Sequence, residues 1–154
     1  MKDLKEENNE SKNFEIIMHF VKDISFEIPT ADAYISVIQD LEKYETKIDI
    51  KNNPLSNQLN ELNLKIFFKA PQNIKNKIHA EICIAIVFKI LDQTITQDEI
   101  KKIILADIPN LFSEKVTNIL SNIFQQSGFK EFKFKKKINF VEMYESQKKT
   151  SLSN

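Results

Sequence analysis

Alternation with a period of two, repeated in four segments and then abandoned, most constrains what this chain can fold into. From Phe14 to Ile28 the even positions are Phe14, Ile16, Met18, Phe20, Lys22, Ile24, Phe26 and Ile28, while the odd ones include Glu15, His19, Asp23, Ser25 and Glu27. One face of this strand is apolar except for Lys22, the other is mostly polar, and Pro29 ends it. The pattern returns in Tyr44, Thr46, Ile48 and Ile50, ahead of the turn Asn52-Asn53-Pro54. It returns again in Leu62, Leu64, Ile66 and Phe68, closed by Pro71-Gln72-Asn73. A fourth segment sets Ile78, Ala80, Ile82, Ile84, Ile86, Phe88 and Ile90 against Lys77, His79, Glu81, Cys83, Ala85, Val87 and Lys89. Its second half is apolar on both sides, so both faces are expected to be covered, by protein or by another subunit. An isolated monomer is expected to expose Cys83, Ala85 and Val87.

After Leu91 the period lengthens. Thr96 and Glu99 form a capping box ahead of Ile100, Ile103 and Ile104. Pro109 is expected to stop that helix and Asn110 to cap the next. Phe112, Val116, Ile119, Leu120, Ile123 and Phe124 fall on one face of an amphipathic helix. Gly128, the only glycine, stands where a helix terminus needs a positive φ. Asn139 and Glu142 form a second capping box, opening a terminal helix with Phe140, Met143 and Tyr144 on one side. Between the first two strands, Ile35, Ile38 and Leu41 are spaced at three, which leaves a helical turn open there. The sum is an α+β domain, a four-stranded antiparallel sheet followed by helices packed on one face. Residues 14–146 are expected to form it. Residues 1–13 are expected to be a disordered arm, being polar and acidic, and 147–154 a flexible polar tail.

Composition removes several functions. One glycine in 154 residues excludes glycine-rich phosphate loops, whose backbones must approach the ligand closely. One cysteine cannot form an internal disulfide, and no Cys/His cluster has zinc spacing, so no metal or cofactor is expected and a reduced, cytoplasmic compartment is the default. Lys+Arg and Asp+Glu balance at 22 each, without the basic excess of a nucleic-acid binder. The chain start lacks the basic and apolar regions of a signal peptide, and the apolar run Ile82–Phe88 is far short of a bilayer span.

Candidate chemistry is sparse. His19 and His79 both fall on the polar side of their strands, with no nearby residue to complete a catalytic or metal pair. Cys83 shares a face with His79 but stands about 13 Å away along an extended strand, so a thiol–imidazole nucleophile is disfavoured. No enzyme is expected. Lys130, Lys133, Lys135, Lys136 and Lys137 alternate with Phe129, Phe132 and Phe134 in the manner of a single-strand binder. The neutral net charge favours instead a connector with phenylalanines inward and lysines solvated. Asp23 and Glu27 share a face, and Glu81 joins them if the last strand lies beside the first.

Val21-Lys-Asp-Ile-Ser-Phe-Glu-Ile-Pro29 resembles the first-strand motif of the SecB family of protein-export chaperones. Ile108-Pro-Asn-Leu-Phe112, Gly128-Phe129 and Ile138-Asn-Phe140 recur in that family's order, so the resemblance runs from about Phe14 to Tyr144. It implies a sheet in the order 1-4-3-2 and a homotetramer built as a dimer of dimers, without a catalytic site. It implies a cytoplasmic chaperone that holds unfolded preproteins in apolar grooves and delivers them to the SecA motor, with no insertion into the membrane. The positions matching the SecA-contacting acidic residues are Asp23, Glu27 and Glu81. The client groove is expected between the sheet, the connecting loop and the terminal helix, lined by Ile48, Ile50, Phe140, Met143 and Tyr144. Ala85-Ile86 stands where the family commonly has a Gly-Gly pair. The alternative partner is a single antitoxin of a toxin–antitoxin system, served by a dedicated SecB-like chaperone.

Overall fold

The structure is a computed structural model that describes residues 13–134 and 137–152. The expected arm thus lies almost wholly outside the described residues, as do Lys135 and Lys136. Asn13, at its end, is fixed: its carbonyl accepts from the Leu91 N–H at 2.8 Å.

Four strands form one antiparallel sheet in the order β1-β4-β3-β2, with β1 Phe14–Glu27, β2 Glu45–Pro54, β3 Leu59–Lys69 and β4 His79–Ile90. β2 and β3 make a hairpin whose turn holds Asn57 and Gln58 at φ 59° and 62°. Positive φ at both central residues matches the right-handed twist of the flanking strands. β4 is the middle of the sheet, paired with β1 on one side and β3 on the other. Its even residues meet Leu62, Leu64 and Ile66 of β3 and form, with them, the fully buried floor of the core.

A helical layer covers that floor. α2 (Gln97–Lys102) begins with the expected capping box, Thr96 Oγ1 accepting from the Glu99 N–H and Glu99 returning a bond to the Thr96 N–H. Pro109 does not stop the helix. A π-helical turn over Ile103–Asp107 carries the chain into α3 (Ile108–Gln126), and the Ile108 N–H bonds Ile103 O, five residues back. Proline has no N–H to give the carbonyl four residues earlier, and a single wide turn absorbs the mismatch without ending the rod. Asn110 consequently caps a different helix from the one expected. Its Oδ1 accepts from the Phe140 N–H at 3.2 Å, at the start of α4 (Phe140–Leu152). Ser113, buried on α3, donates to Ile138 O at 2.7 Å beside it. α4 continues to Leu152, past Gln147 where the apolar spacing gives out.

Val116, Leu120 and Phe124 of α3 are fully buried, as the amphipathic spacing predicts. The ambiguous segment after β1 is a helix, α1 (Ala31–Asp40), with Thr30 Oγ1 accepting from the Ala33 N–H. It lodges against the end of α3: the Tyr34 hydroxyl donates to Gly128 O at 2.9 Å and its ring lies 4.9 Å from that of Phe129. Gly128 has φ 106°, and a Cβ there would stand 3.1 Å from the Tyr34 ring. Gly128→Ala should therefore lower stability by about 1–3 kcal/mol, from backbone strain and displacement of Tyr34. Urea denaturation of the variant checks this; an unchanged midpoint would mean that α1 is not pinned here.

Candidate functional site

β1 does not keep the even/odd rule along its whole length. Its register against β4 slips between Ile16 and Met18 and again between Val21 and Asp23, leaving Ile17 and Lys22 as extra residues. A bulge adds one residue and so exchanges the faces of everything after it; the second restores them. Between the two, the expectation is reversed. Met18 and Phe20 pair with Val87 and Ala85 and so lie on the outer face, away from the helices, where they are 53% and 46% exposed. His19, expected among the polar residues, turns to the helix side, where its ring meets Phe112 at 5.0 Å. Burial, then the Lys115 ammonium beside it, hold its pKa below the ordinary histidine value.

Lys22, the apparent polar intruder on the apolar face, also turns outward. It reaches across β4 to Glu61 Oε1 at 2.5 Å and Asn63 Oδ1 at 3.3 Å on β3. The bulge thus spares an ammonium from burial, which costs several kcal/mol without a partner. The Lys22 ammonium in turn holds the Glu61 carboxyl below the usual carboxylate range.

Beyond the second bulge the phase is that of the simple alternation. Asp23, Ser25 and Glu27 pair with Cys83, Glu81 and His79, so Asp23, Glu27 and Glu81 share the outer face. They are not electrostatically alike. Glu81 is bridged by Lys65 Nζ at 2.9 Å and by His79 Nε2 at 3.3 Å, and the Glu81 carboxylate raises the Lys65 pKa. No hydrogen bond or ion pair engages the carboxylates of Asp23 and Glu27 among the described residues. A shallow cavity of about 250 Å³ opens beside Asp23, between Lys22, Lys51 and Lys65 over the Cys83 floor.

Cys83, Ala85 and Val87 are covered within the single chain, against the expectation that a monomer exposes them; Ala85 is 0% exposed. The reason is cross-strand. Asp23 and Lys65 flank Cys83, Phe20 and Asn63 flank Ala85, and Met18 and Glu61 flank Val87, and their longer side chains close over the small ones.

The expected groove residues separate. Ile48 and Ile50 lie on the helix side of β2, opposite Ile66 and Leu64, and pack partly buried against the core. Phe140 is 2% exposed and anchors α4, so its ring is not at the surface; Met143 is exposed and Tyr144 half-buried. The pattern of apolar positions missed a larger feature. Phe68 of β3, Phe124 of α3, and Phe132 and Phe134 of the connector form a cluster of rings, with centroids 4.2 Å apart for Phe124–Phe132 and 5.8 Å for Phe68–Phe134. Phe129, Phe132 and Phe134 of the Phe/Lys run therefore pack toward the protein, as expected of a connector, with Phe132 and Phe134 only partly buried. α1, joined to this cluster through Tyr34 and Phe129, presents Ile35 and Ile38 to solvent. The signal was the density of phenylalanine near the end of α3, which no periodicity rule scores.

This is the architecture of a binding protein: an apolar cluster rimmed by exposed aliphatic side chains on one side of a sheet, a charged face on the other. The family model for preprotein translocase subunit SecB matches residues 7–151. A putative protein-export protein SecB from Pelagibacter ubique is 34% identical over 137 residues, 89% of this chain and 98% of its own length. The protein-export protein SecB of Bartonella bacilliformis is 28% identical over 122 residues, 79% and 76% of the two chains. In fold, a Mycobacterium tuberculosis SecB-like chaperone, solved in complex with a ChAD peptide from the HigA1 antitoxin, matches with a TM-score of 0.54 at 8% identity over 80% of this chain and 90% of its own. The chain belongs to the SecB family and is a chaperone for protein export. Among the described residues no helix is long and apolar enough to cross a membrane.

Burial raises the Cys83 pKa, keeping the thiol protonated. Its reaction with a disulfide reagent at pH 8 should run at least about tenfold slower in the native protein than in denaturant, since the thiolate is the nucleophile. Equal rates would show that the outer face does not close over β4.

Proposed function

We propose that this chain acts in the cytoplasm as a tetramer that holds unfolded preproteins on its helix-side apolar surface and hands them to SecA through its outer sheet face. Membership of the SecB family carries the reading. The antitoxin-bound neighbour shares the fold at 8% identity, whereas the relative at 34% identity has a protein-export name, so export is favoured over a dedicated antitoxin partner.

Holding an unfolded chain needs apolar area accessible in the folded protein, and recognition without a sequence code follows because burial is non-directional. The client surface in this reading is the Phe68, Phe132 and Phe134 cluster with Ile35 and Ile38 beside it, extended by Ile48 and Ile50 on the sheet and by Met143 and Tyr144 on α4. Phe140 supports α4 from beneath. Asp23, Glu27 and Glu81 are the acidic residues proposed to meet SecA.

Assembly is proposed on the helix side of the edge strand. Val21 and Ile24 are 41% and 45% exposed there, on a strand whose free edge has no paired strand among the described residues. Such an edge invites a second copy. Light scattering should give a mass of about four chains, and Val21→Lys with Ile24→Lys should reduce it, because an unpaired buried charge costs several kcal/mol. A variant that keeps the parent mass would move the interface elsewhere.

Ile35→Ser with Ile38→Ser should leave the fold intact, both being exposed. Each lost contact with a client is worth on the order of 1 kcal/mol, so the chaperone needed to suppress aggregation of a diluted unfolded protein should rise several-fold. Unchanged protection would remove α1 from the client surface.

A further inference from the structure

The two bulges of β1 build an outer face that neither the acidic residues nor the apolar pattern describes alone. Along it stand Met18 and Phe20, about half exposed, then Asp23, Ser25 and Glu27. The β4 residues opposite serve as a ruler. Phe20 to Asp23 spans Ala85 to Cys83, about 7 Å, and Asp23 to Glu27 spans Cys83 to His79, about 13 Å. Beside this strip Glu61 is held by Lys22, Asp49 by Lys51 at 4.0 Å and Glu81 by Lys65, with the His79 ring 3.3 Å from Glu81, while Glu15 stands beyond Met18 at the far end, opposite Lys89 of β4.

We propose that this strip is a bipartite docking site for one extended segment of the partner protein, which places an apolar side chain over Met18 and Phe20 and two basic side chains against Asp23 and Glu27, while Lys65 weakens the docking by occupying Glu81. This rests on the reading that the outer face meets SecA, and names what SecA must present there.

Charge and polarity along the strip select that occupant over a second copy of the chain. Two copies meeting face to face with their strips running the same way set Asp23 on Asp23 and Glu27 on Glu27. Running opposite ways, they set Met18 and Phe20 against the carboxylates of Asp23 and Glu27. The first arrangement repels and the second desolvates charge on apolar surface without a partner. A segment with an apolar group at one end and cations at the other satisfies both halves. Glu81 contributes little to it while Lys65 stands 2.9 Å away, because an incoming cation must displace one already in place.

Calorimetric titration of the full chain with SecA tests this, with solution mass and aggregation suppression measured alongside. Phe20→Thr should weaken SecA binding about fivefold, equally at low and high salt, since the lost contact is apolar. Asp23→Lys with Glu27→Lys should weaken it about tenfold at low salt and much less at high salt. Lys65→Gln should strengthen binding about two- to fivefold by releasing Glu81. Mass and aggregation suppression should match the parent in all three. If the parent chain binds SecA and Phe20→Thr binds as well as it does, the bipartite strip is wrong while the proposed function stands. If Phe20→Thr lowers the solution mass, Met18 and Phe20 belong to a contact between copies and the inference is overturned. Weaker binding by Lys65→Gln would make Lys65 a contact residue and overturn its role as competitor. A parent chain that does not bind SecA overturns the proposed delivery and the inference together.

Discussion

Every other element depends on β4 being flanked on both edges and covered on both faces. From Ile82 to Phe88 it is continuously buried, an arrangement that an antiparallel sheet with one solvated face does not need. The helix side is closed by α3, whose Val116, Leu120 and Phe124 join the same core as the even residues of β4. Among the described residues the outer side has no helix. It is closed by side chains from β1 and β3 reaching inward across the strand, Lys22 from one flank and Lys65 from the other. The two sides of the protein are thereby given different surfaces, one apolar and aromatic, the other a lattice of carboxylates and ammoniums.

Most of the fold was legible because strands and amphipathic helices announce themselves by period. The alternating segments became β1 to β4, and the spacing of Phe112 to Phe124 became α3. The capping box at Thr96 and the positive φ at Gly128 are local chemistry and were equally readable. Two features of the backbone were not. Pro109 is a reliable helix breaker only where the preceding turn cannot widen, and the π turn from Ile103 to Asp107 depends on packing against α4 that no local rule contains. The bulges at Ile17 and Lys22 are invisible to alternation because they come as a pair. Each inverts the phase, so the pattern before the first and after the second agrees with an unbroken strand.

That cancellation explains why the candidate docking residues were legible while their surroundings were not. Asp23, Glu27 and Glu81 lie in the segments where the phase is that of the simple strand, and sequence alone set them on one face. Met18, Phe20 and Lys22 lie in the inverted stretch, and sequence alone buried them. The error had a trace, the single Lys22 on an otherwise apolar face. A buried, unpaired ammonium is costly enough that its presence in a strand pattern argues for a local break in register. The aromatic cluster was hidden for another reason. Its rings come from β3, α3 and the connector, and their meeting is a property of the tertiary fold.

The balanced charge of the chain follows from the same lattice. Lys22 reaches Glu61, Lys65 reaches Glu81, and Lys51 stands beside Asp49, so most of the outer carboxylates are answered within the chain. Exposed pairs of this kind add little to stability, the median being about 0–1 kcal/mol. Their larger effect is on what the face presents to a partner. A long-range field falls off over roughly 10 Å in about 0.1 M salt, and internal pairing cancels it over still shorter distances. In the proposed docking, a near-neutral sheet face of this composition would attract a basic partner weakly from afar and discriminate at contact, where the carboxylates of Asp23 and Glu27, the Phe20 ring and the Met18 thioether are met directly. Under the proposed delivery such a face has a use, since a docking that is specific but not tight would let the carrier leave once the client has passed on.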